Sequence, residues 1–135
     1  MTAPVTPASA AEPLLVLDDL RVHFPIRGGL VLDRTVGHVR AVDGVSLAVP
    51  RGSTYGLVGE SGSGKSTLGR AVLRLVEPTG GRVTFDGVDL SGVGTTEMRR
   101  LRRRMQMVFQ DPAASLDPRQ NVESLLLEPL VAHGR

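Results

Sequence analysis

The sequence predicts an α/β chain in which antiparallel β structure is joined to one strand, loop and helix unit of P-loop type. Three observations carry that prediction. Gly59-Glu60-Ser61-Gly62-Ser63-Gly64-Lys65-Ser66-Thr67 fulfils the pattern of Gly, four free positions, Gly, Lys and Ser or Thr. The β-prone run Thr54 to Val58 precedes it, and Leu68, Ala71, Val72 and Leu75 follow it at helical spacing. Further on, Val83-Thr84-Phe85, Asp86-Gly87 and Val88-Asp89-Leu90 form a hairpin signature, because Asp-Gly suits a type I′ turn.

The loop carries the chemistry. Its glycines let the chain turn tightly with N–H groups pointing inward, where a Cβ would block the approach of phosphate oxygens. Lys65 adds a mobile point charge, and Ser66, at the opening of the helix, can place its hydroxyl on a Mg²⁺ that bridges the outer phosphates. The helix N-terminus contributes partial positive charge. Lys65 is the only lysine in a chain whose other basic residues are arginine or histidine, which suits a compact ammonium between phosphates. A chance match among 16 glycines is the rival reading, and the strand before the loop and the helix after it count against it.

Bulk properties bound the remaining classes. With 135 residues, 41% hydrophobic and 22% charged, the chain has a globular composition and room for one domain at most. The net charge of +2 describes a near-balanced, Arg-rich chain and does not by itself point to nucleic acid. Absence of cysteine excludes a disulfide framework and a thiolate metal site. No apolar run approaches the roughly 20 residues of a membrane span.

The elements follow in order. Residues 1–13, rich in Thr, Ala and Pro, read as a disordered tail. Leu14 to Val22 is the first strand, with Asp18-Asp19 as its solvated end, and Phe24 to Gly37 reads as a loop or insertion. His38 to Val49 is a strand broken by a turn at Asp43-Gly44, and Pro50-Arg51-Gly52 is a second turn. Glu77-Pro78-Thr79-Gly80-Gly81 is the stop signal of the P-loop helix. Thr95 or Thr96 caps a helix to about Arg104, with Met98, Leu101 and Met105 as its apolar stripe. Arginines 99, 100, 102, 103 and 104 on that helix read as a solvated face, since few aromatics accompany them and no nucleic-acid module is present. Met105 to Phe109 is a buried-type strand ending at Gln110-Asp111-Pro112. Gln110 sits where open α/β sheets bind ligands, and its carbonyl could accept from water or reach Mg²⁺. The alternative is a polar residue simply leaving a strand. A helix containing Val122, Leu125 and Leu126 is expected to end at Pro129.

Ala41-Val42-Asp43-Gly44-Val45-Ser46-Leu47, Leu57 to Arg70, Glu77 to Gly81, and Phe109-Gln110-Asp111-Pro112-Ala113-Ala114-Ser115-Leu116-Asp117-Pro118-Arg119 together resemble the ATP-binding subunits of ABC transporters, over about residues 14–133. The last stretch is similar to the oligopeptide and dipeptide importer branch. The resemblance implies the N-terminal portion of an ABC-type nucleotide-binding domain over residues 14–135, with an antiparallel β subdomain and the P-loop strand-helix unit. It implies that Gly59, Glu60, Ser61, Gly62, Ser63, Gly64, Lys65, Ser66 and Thr67 wrap the phosphates of ATP, that Lys65 contacts the β- and γ-phosphates, and that Ser66 ligates Mg²⁺. Gln110 matches the Q-loop glutamine, which touches Mg²⁺ and the attacking water and couples the site to the membrane subunit.

Implied partners are transmembrane permease subunits, a second ATP-binding subunit and, indirectly, an extracytoplasmic substrate-binding protein, with no nucleic acid. The implied location is peripheral, at the cytoplasmic face of the cell membrane. Val36 stands where the family stacks an aromatic ring on adenine, with Phe24 and His38 nearby. The signature loop, the acidic Mg²⁺ strand and the switch histidine of the family all follow the Q-loop. Leu90 to Gly94 reads instead as a hairpin-to-helix connection, and His133 comes too early to be the switch. The expectation is therefore a fragment with weak nucleotide binding and negligible turnover alone. The rival readings are a truncated, non-catalytic nucleotide-binding or interaction module and, less favoured, an Arg-rich nucleic-acid-binding protein.

Overall fold

The computed structural model describes residues 12–28, 34–111 and 116–134, which form two compact units, residues 1–93 and 94–135. Most of the tail expected over 1–13 lies outside the described residues, and Pro13 already belongs to the first strand.

In the first unit, β1 (Pro13–Gly28), β2 (Arg34–Pro50), β3 (Gly80–Phe85) and β4 (Val88–Asp89) form an antiparallel sheet in the order β2-β1-β3-β4. The segment expected to be a loop from Phe24 is a correction. β1 continues to Gly28 and pairs with a β2 that starts at Arg34, so Phe24 faces Val39 and Pro25 faces His38. Ladder pairing supplies every second main-chain partner there, which outweighs the turn signal of Pro25 and Gly28. Asp18-Asp19 is likewise not a strand end. The register jumps from Leu17↔Leu47 to Leu20↔Val45, and Asp19 takes φ 47 in a bulge. That bulge turns Leu17, Leu20 and Val22 all toward the core while leaving Asp19 exposed, its N–H donating to Ser46 Oγ at 2.9 Å. Asp43-Gly44 is no turn either, for β2 runs through it to Pro50.

Helix α1 (Lys65–Val72) buries Leu68 and Ala71 and touches β1 and β2. It stops earlier than Glu77. Arg74 adopts the left-handed conformation with φ 50, its N–H returns to Ala71 O and the N–H of Leu75 returns to Arg70 O at 2.9 Å. A non-glycine residue holds that conformation because its guanidinium donates to Leu90 O at 2.9 Å and to Val93 O at 2.8 Å. The β3–β4 hairpin follows the sequence reading, with Asp86 at φ 50 and Gly87 at φ 78, both as type I′ requires. Val83, Phe85 and Leu90 complete the core.

The expected strand Thr54 to Val58 belongs to no helix or ladder, and Val58 is 93% exposed. A central strand of an α/β sheet exists only through neighbours on both edges, and none pairs with it among the described residues.

The second unit contains α2 (Thr95–Leu101), a 3₁₀ turn (Arg102–Arg104) and α3 (Val122–Ala132). Gly94, rather than a threonine side chain, precedes α2 as its N-cap, and Met98 and Leu101 are buried. Met105 to Phe109 forms no ladder, for the same reason as Thr54 to Val58, and residues 112–115 of the importer-like motif lie outside the described residues. Asn121 caps α3, its side chain accepting from Ser124 N at 2.8 Å. Pro129 does not end α3, which runs on to Ala132, where the His133 N–H bonds to Pro129 O and Leu130 O. The Arg103 guanidinium donates to His133 O, placing a cation at the C-terminal end of that helix.

Candidate functional site

The Gly59 to Thr67 loop joins the segment ending at Val58 to α1. Ser63 N–H bonds back to Glu60 O at 3.2 Å, and Gly62 (φ 81) and Gly64 (φ 89) take the left-handed conformation on either side of Ser63. Gly64 occupies the N-cap position of α1 without a side-chain capping bond, and the first turn holds no acidic residue. Its N–H groups therefore have neither a capping oxygen nor a carboxylate in the sequence to compete with an anion.

Lys65 folds its ammonium over the loop. Nζ donates to Gly59 O at 2.7 Å, Glu60 O at 2.6 Å and Ser63 Oγ at 3.1 Å, which uses all its donors. The charge is held at the loop mouth by neutral oxygens, and a phosphate oxygen can exchange for any of them with gain of charge.

Two glycines differ in what surrounds them. A Cβ on Gly64 would lie 2.1 Å from the carbonyl oxygen of Ala41 on β2, so the loop rests directly on that strand's backbone. A Cβ on Gly62 would meet nothing within 4 Å. The loop therefore has one side packed against protein and one side open. Between it and the Ala41 to Leu47 stretch of β2 lies a cleft of about 520 Å³, lined chiefly by apolar side chains such as Val45, Leu57 and Leu68.

These residues fit a polyphosphate: an open loop with left-handed glycines, one ammonium and an uncapped helix start. For Mg²⁺ the local donor is Ser66, the second residue of α1. Among the described residues no group of three His, Asp or Glu side chains forms a cation site.

Glu60, Ser61 and Thr67 lie in or beside the loop as expected. Gln110 is exposed in a bend of the second unit, whereas Lys65 and Ser66 belong to the first. Val36, Phe24 and Val39 are exposed at 65%, 40% and 53%, so the far half of the β1–β2 hairpin presents apolar surface with no aromatic at 36. Sequence reasoning missed His23, whose Nε2 lies 2.9 Å from Asp43 Oδ1, and missed the seat that Ala41 makes for Gly64. His23 falls between the strand read to Val22 and the loop read from Phe24, and Ala41 lies within the strand read over His38 to Val49, so neither carried a local signal.

A loop of this geometry at the start of a core-packed helix, beside an antiparallel sheet, defines a protein of the P-loop class. The sequence matches the family model described as ABC transporter over residues 42–130, more than half of the chain, and the chain belongs to that family. It is 49% identical over 128 residues to the oligopeptide transport ATP-binding protein AppF of Bacillus subtilis (strain 168), covering 94% of this chain and 39% of that protein. It is 50% identical over 123 residues to the glutathione import ATP-binding protein GsiA of Escherichia coli (strain K12), covering 91% of this chain and 20% of that protein. The chain thus spans well under half the length of these relatives. Among solved structures, the dimeric bacterial ABC transporter cassette MJ0796 superposes with a TM-score of 0.69 at 23% identity, over 90% of this chain and 48% of that one. A post-hydrolysis form of the same cassette, bound to ADP and Pi, gives 0.68 at 24% identity. At such identities the likeness concerns the fold.

Proposed function

We propose that the chain supplies the phosphate-binding and coupling residues of an ABC importer's ATP-binding subunit, and that the cargo is an oligopeptide or a glutathione-like peptide. The observation that carries nucleotide binding is the Lys65 ammonium, held 2.7 and 2.6 Å from the loop carbonyls at the start of an uncapped helix. Peptide cargo rests on the likeness to AppF and GsiA.

In this reading the amides of Gly59 to Thr67 would wrap the phosphates of ATP, Lys65 would exchange the loop carbonyls for the β- and γ-oxygens, and Ser66 and Gln110 would each serve as a ligand to bound Mg²⁺. Gln110 also orients the attacking water. Bound Mg²⁺ neutralises charge on the outer phosphates. Catalysis of this kind consists mostly of positioning and charge stabilisation, so a single chain that has no second subunit opposite its loop turns over negligibly. The partners are transmembrane permease subunits, a second ATP-binding subunit and, indirectly, an extracytoplasmic substrate-binding protein. The chain works peripherally at the cytoplasmic face of the membrane. No helix among the described residues is long and apolar enough to cross a membrane.

The test is calorimetry of Mg²⁺-ATP binding to this chain and to Lys65→Ala. Loss of the charge-assisted bonds, about 1.5–3 kcal/mol, weakens binding roughly 10- to 150-fold. Equal affinities would refute the assignment of Lys65, and steady hydrolysis by the single chain would refute the inactive reading.

A further inference from the structure

We infer that His23, Asp43 and Arg40 form a clasp that shapes a β-bulge at Ala41 and, through it, seats the phosphate loop. The inference rests on the phosphate-site reading for its function, though not for its geometry.

The register supplies the first observation. Val22 pairs with Val42 and the next residue, His23, pairs with Arg40, so Ala41 is an extra residue on β2 with no partner on β1. A bulge of this kind bends the strand and re-aims the groups of the extra residue. Here the re-aimed group is the Ala41 carbonyl, whose oxygen stands 2.1 Å from where a Cβ of Gly64 would be. The loop that begins α1 therefore rests on a residue whose backbone direction the ladder itself does not set.

The side chains around the bulge set it instead. His23 Nε2 meets Asp43 Oδ1 at 2.9 Å, reaching diagonally across the bulge from β1, and Arg40 Nη1 meets Asp43 Oδ2 at 3.4 Å from the other side of Ala41 on the same strand. Val42, 5% exposed, keeps the register by filling the core, which leaves the clasp to fix the local bend. The main chain of His23 adds a second tie. Its N–H donates to Thr79 Oγ1 at 3.1 Å, and the Thr79 N–H donates to Arg21 O at 2.8 Å, in the segment that follows α1. One residue of β1 is thus bonded both to the strand under the N-terminus of α1 and to the chain leaving that helix. None of the three clasp side chains bonds to the loop, so they are positioning residues.

Because Lys65 is the sole lysine, a lysine-specific endoprotease cuts the native chain at one place, inside the phosphate loop, and its rate reads how firmly the loop is seated. His23→Ala and Asp43→Ala are expected to speed that cut about fivefold, the range of a partly exposed ion pair, with the tryptic cuts at arginines outside the clasp unchanged. His23→Gln, whose amide can still donate to Asp43, is expected to restore the slow rate, which a general loss of stability would not do. If the alanine variants do not fold, Asp43→Asn serves in their place: a faster cut supports the clasp and an unchanged one overturns it. Wild-type rates in the folded variants, or a rise matched at every tryptic site, overturn it as well. Mg²⁺-ATP calorimetry on the same proteins separates the two proposals. A chain that binds no Mg²⁺-ATP yet frees Lys65 in the clasp variants refutes the phosphate reading and leaves the clasp standing. A chain that binds Mg²⁺-ATP, and is bound and cut identically with His23→Ala, refutes the clasp alone.

Discussion

Replacing Gly64 and Gly62 in turn by alanine separates the two requirements that the loop places on its glycines. Both residues have positive φ, 89 and 81, so each alanine pays the left-handed penalty of about 1–2 kcal/mol. Only at Gly64 does the new Cβ collide with backbone, 2.1 Å from Ala41 O and 3.2 Å from Ala41 C, while at Gly62 nothing lies within 4 Å. Relieving a backbone collision of that size requires β2 or the loop to shift, at a further cost of about 1–3 kcal/mol typical of overpacking. With a urea slope of about 1–3 kcal/mol per molar, the midpoint of Gly64→Ala should lie lower than that of Gly62→Ala by roughly 1 M. Circular dichroism at 222 nm across a urea series measures the difference. Nucleotide affinity should show the reverse sensitivity, because the Gly62 Cβ projects into the open side of the loop and the Gly64 Cβ into protein. Equal midpoints would refute the argument, since they would mean that the Ala41 carbonyl yields freely and is no seat at all.

Two further perturbations test the frame around the site. Asp43 is held below its ordinary value of 3.8 by the hydrogen bond from His23 first, and then by the charges of Arg40 and His23. A depressed folded-state value means that the stabilisation is present above pH 3.8 and is lost as pH falls through the folded value. The acid limb of a urea-midpoint profile should therefore steepen below about pH 4 and flatten in Asp43→Asn, whereas an unchanged limb in that variant would sink the assignment. Arg74→Ala removes two bonds to the carbonyls of Leu90 and Val93 from a side chain only 19% exposed, and leaves a left-handed residue without the contact that holds it. A loss of about 2–4 kcal/mol is expected from thermal unfolding, and Arg74→Gly, which relaxes the backbone, should recover about 1 kcal/mol of it.

The phosphate loop was legible in the sequence because its requirements are local. Gly62 and Gly64 act through their own backbone freedom and Lys65 through its charge, and a motif of fixed spacing records both. The Asp86-Gly87 turn was legible for the same reason, since positive φ at two adjacent positions is a property of those residues. The second-unit helices followed from apolar periodicity, whereas their caps, Gly94 and Asn121, and the end of α3 did not.

What the tertiary structure decided concerns groups whose partners are far along the chain. The run from Phe24 reads as a loop because Pro25 and Gly28 are turn formers, yet it is strand because β2 supplies its hydrogen bonds. Thr54 to Val58 and Met105 to Phe109 have strand composition and form no ladder, because a ladder needs a neighbouring edge that composition cannot provide. The bulge at Ala41 depends on which residue of β1 faces which residue of β2, a matter of register that no local propensity encodes. The chain's own residues thus determine the turns of the Gly59 to Thr67 loop, while the surface that loop rests on is decided by a strand pairing made across some twenty residues of sequence.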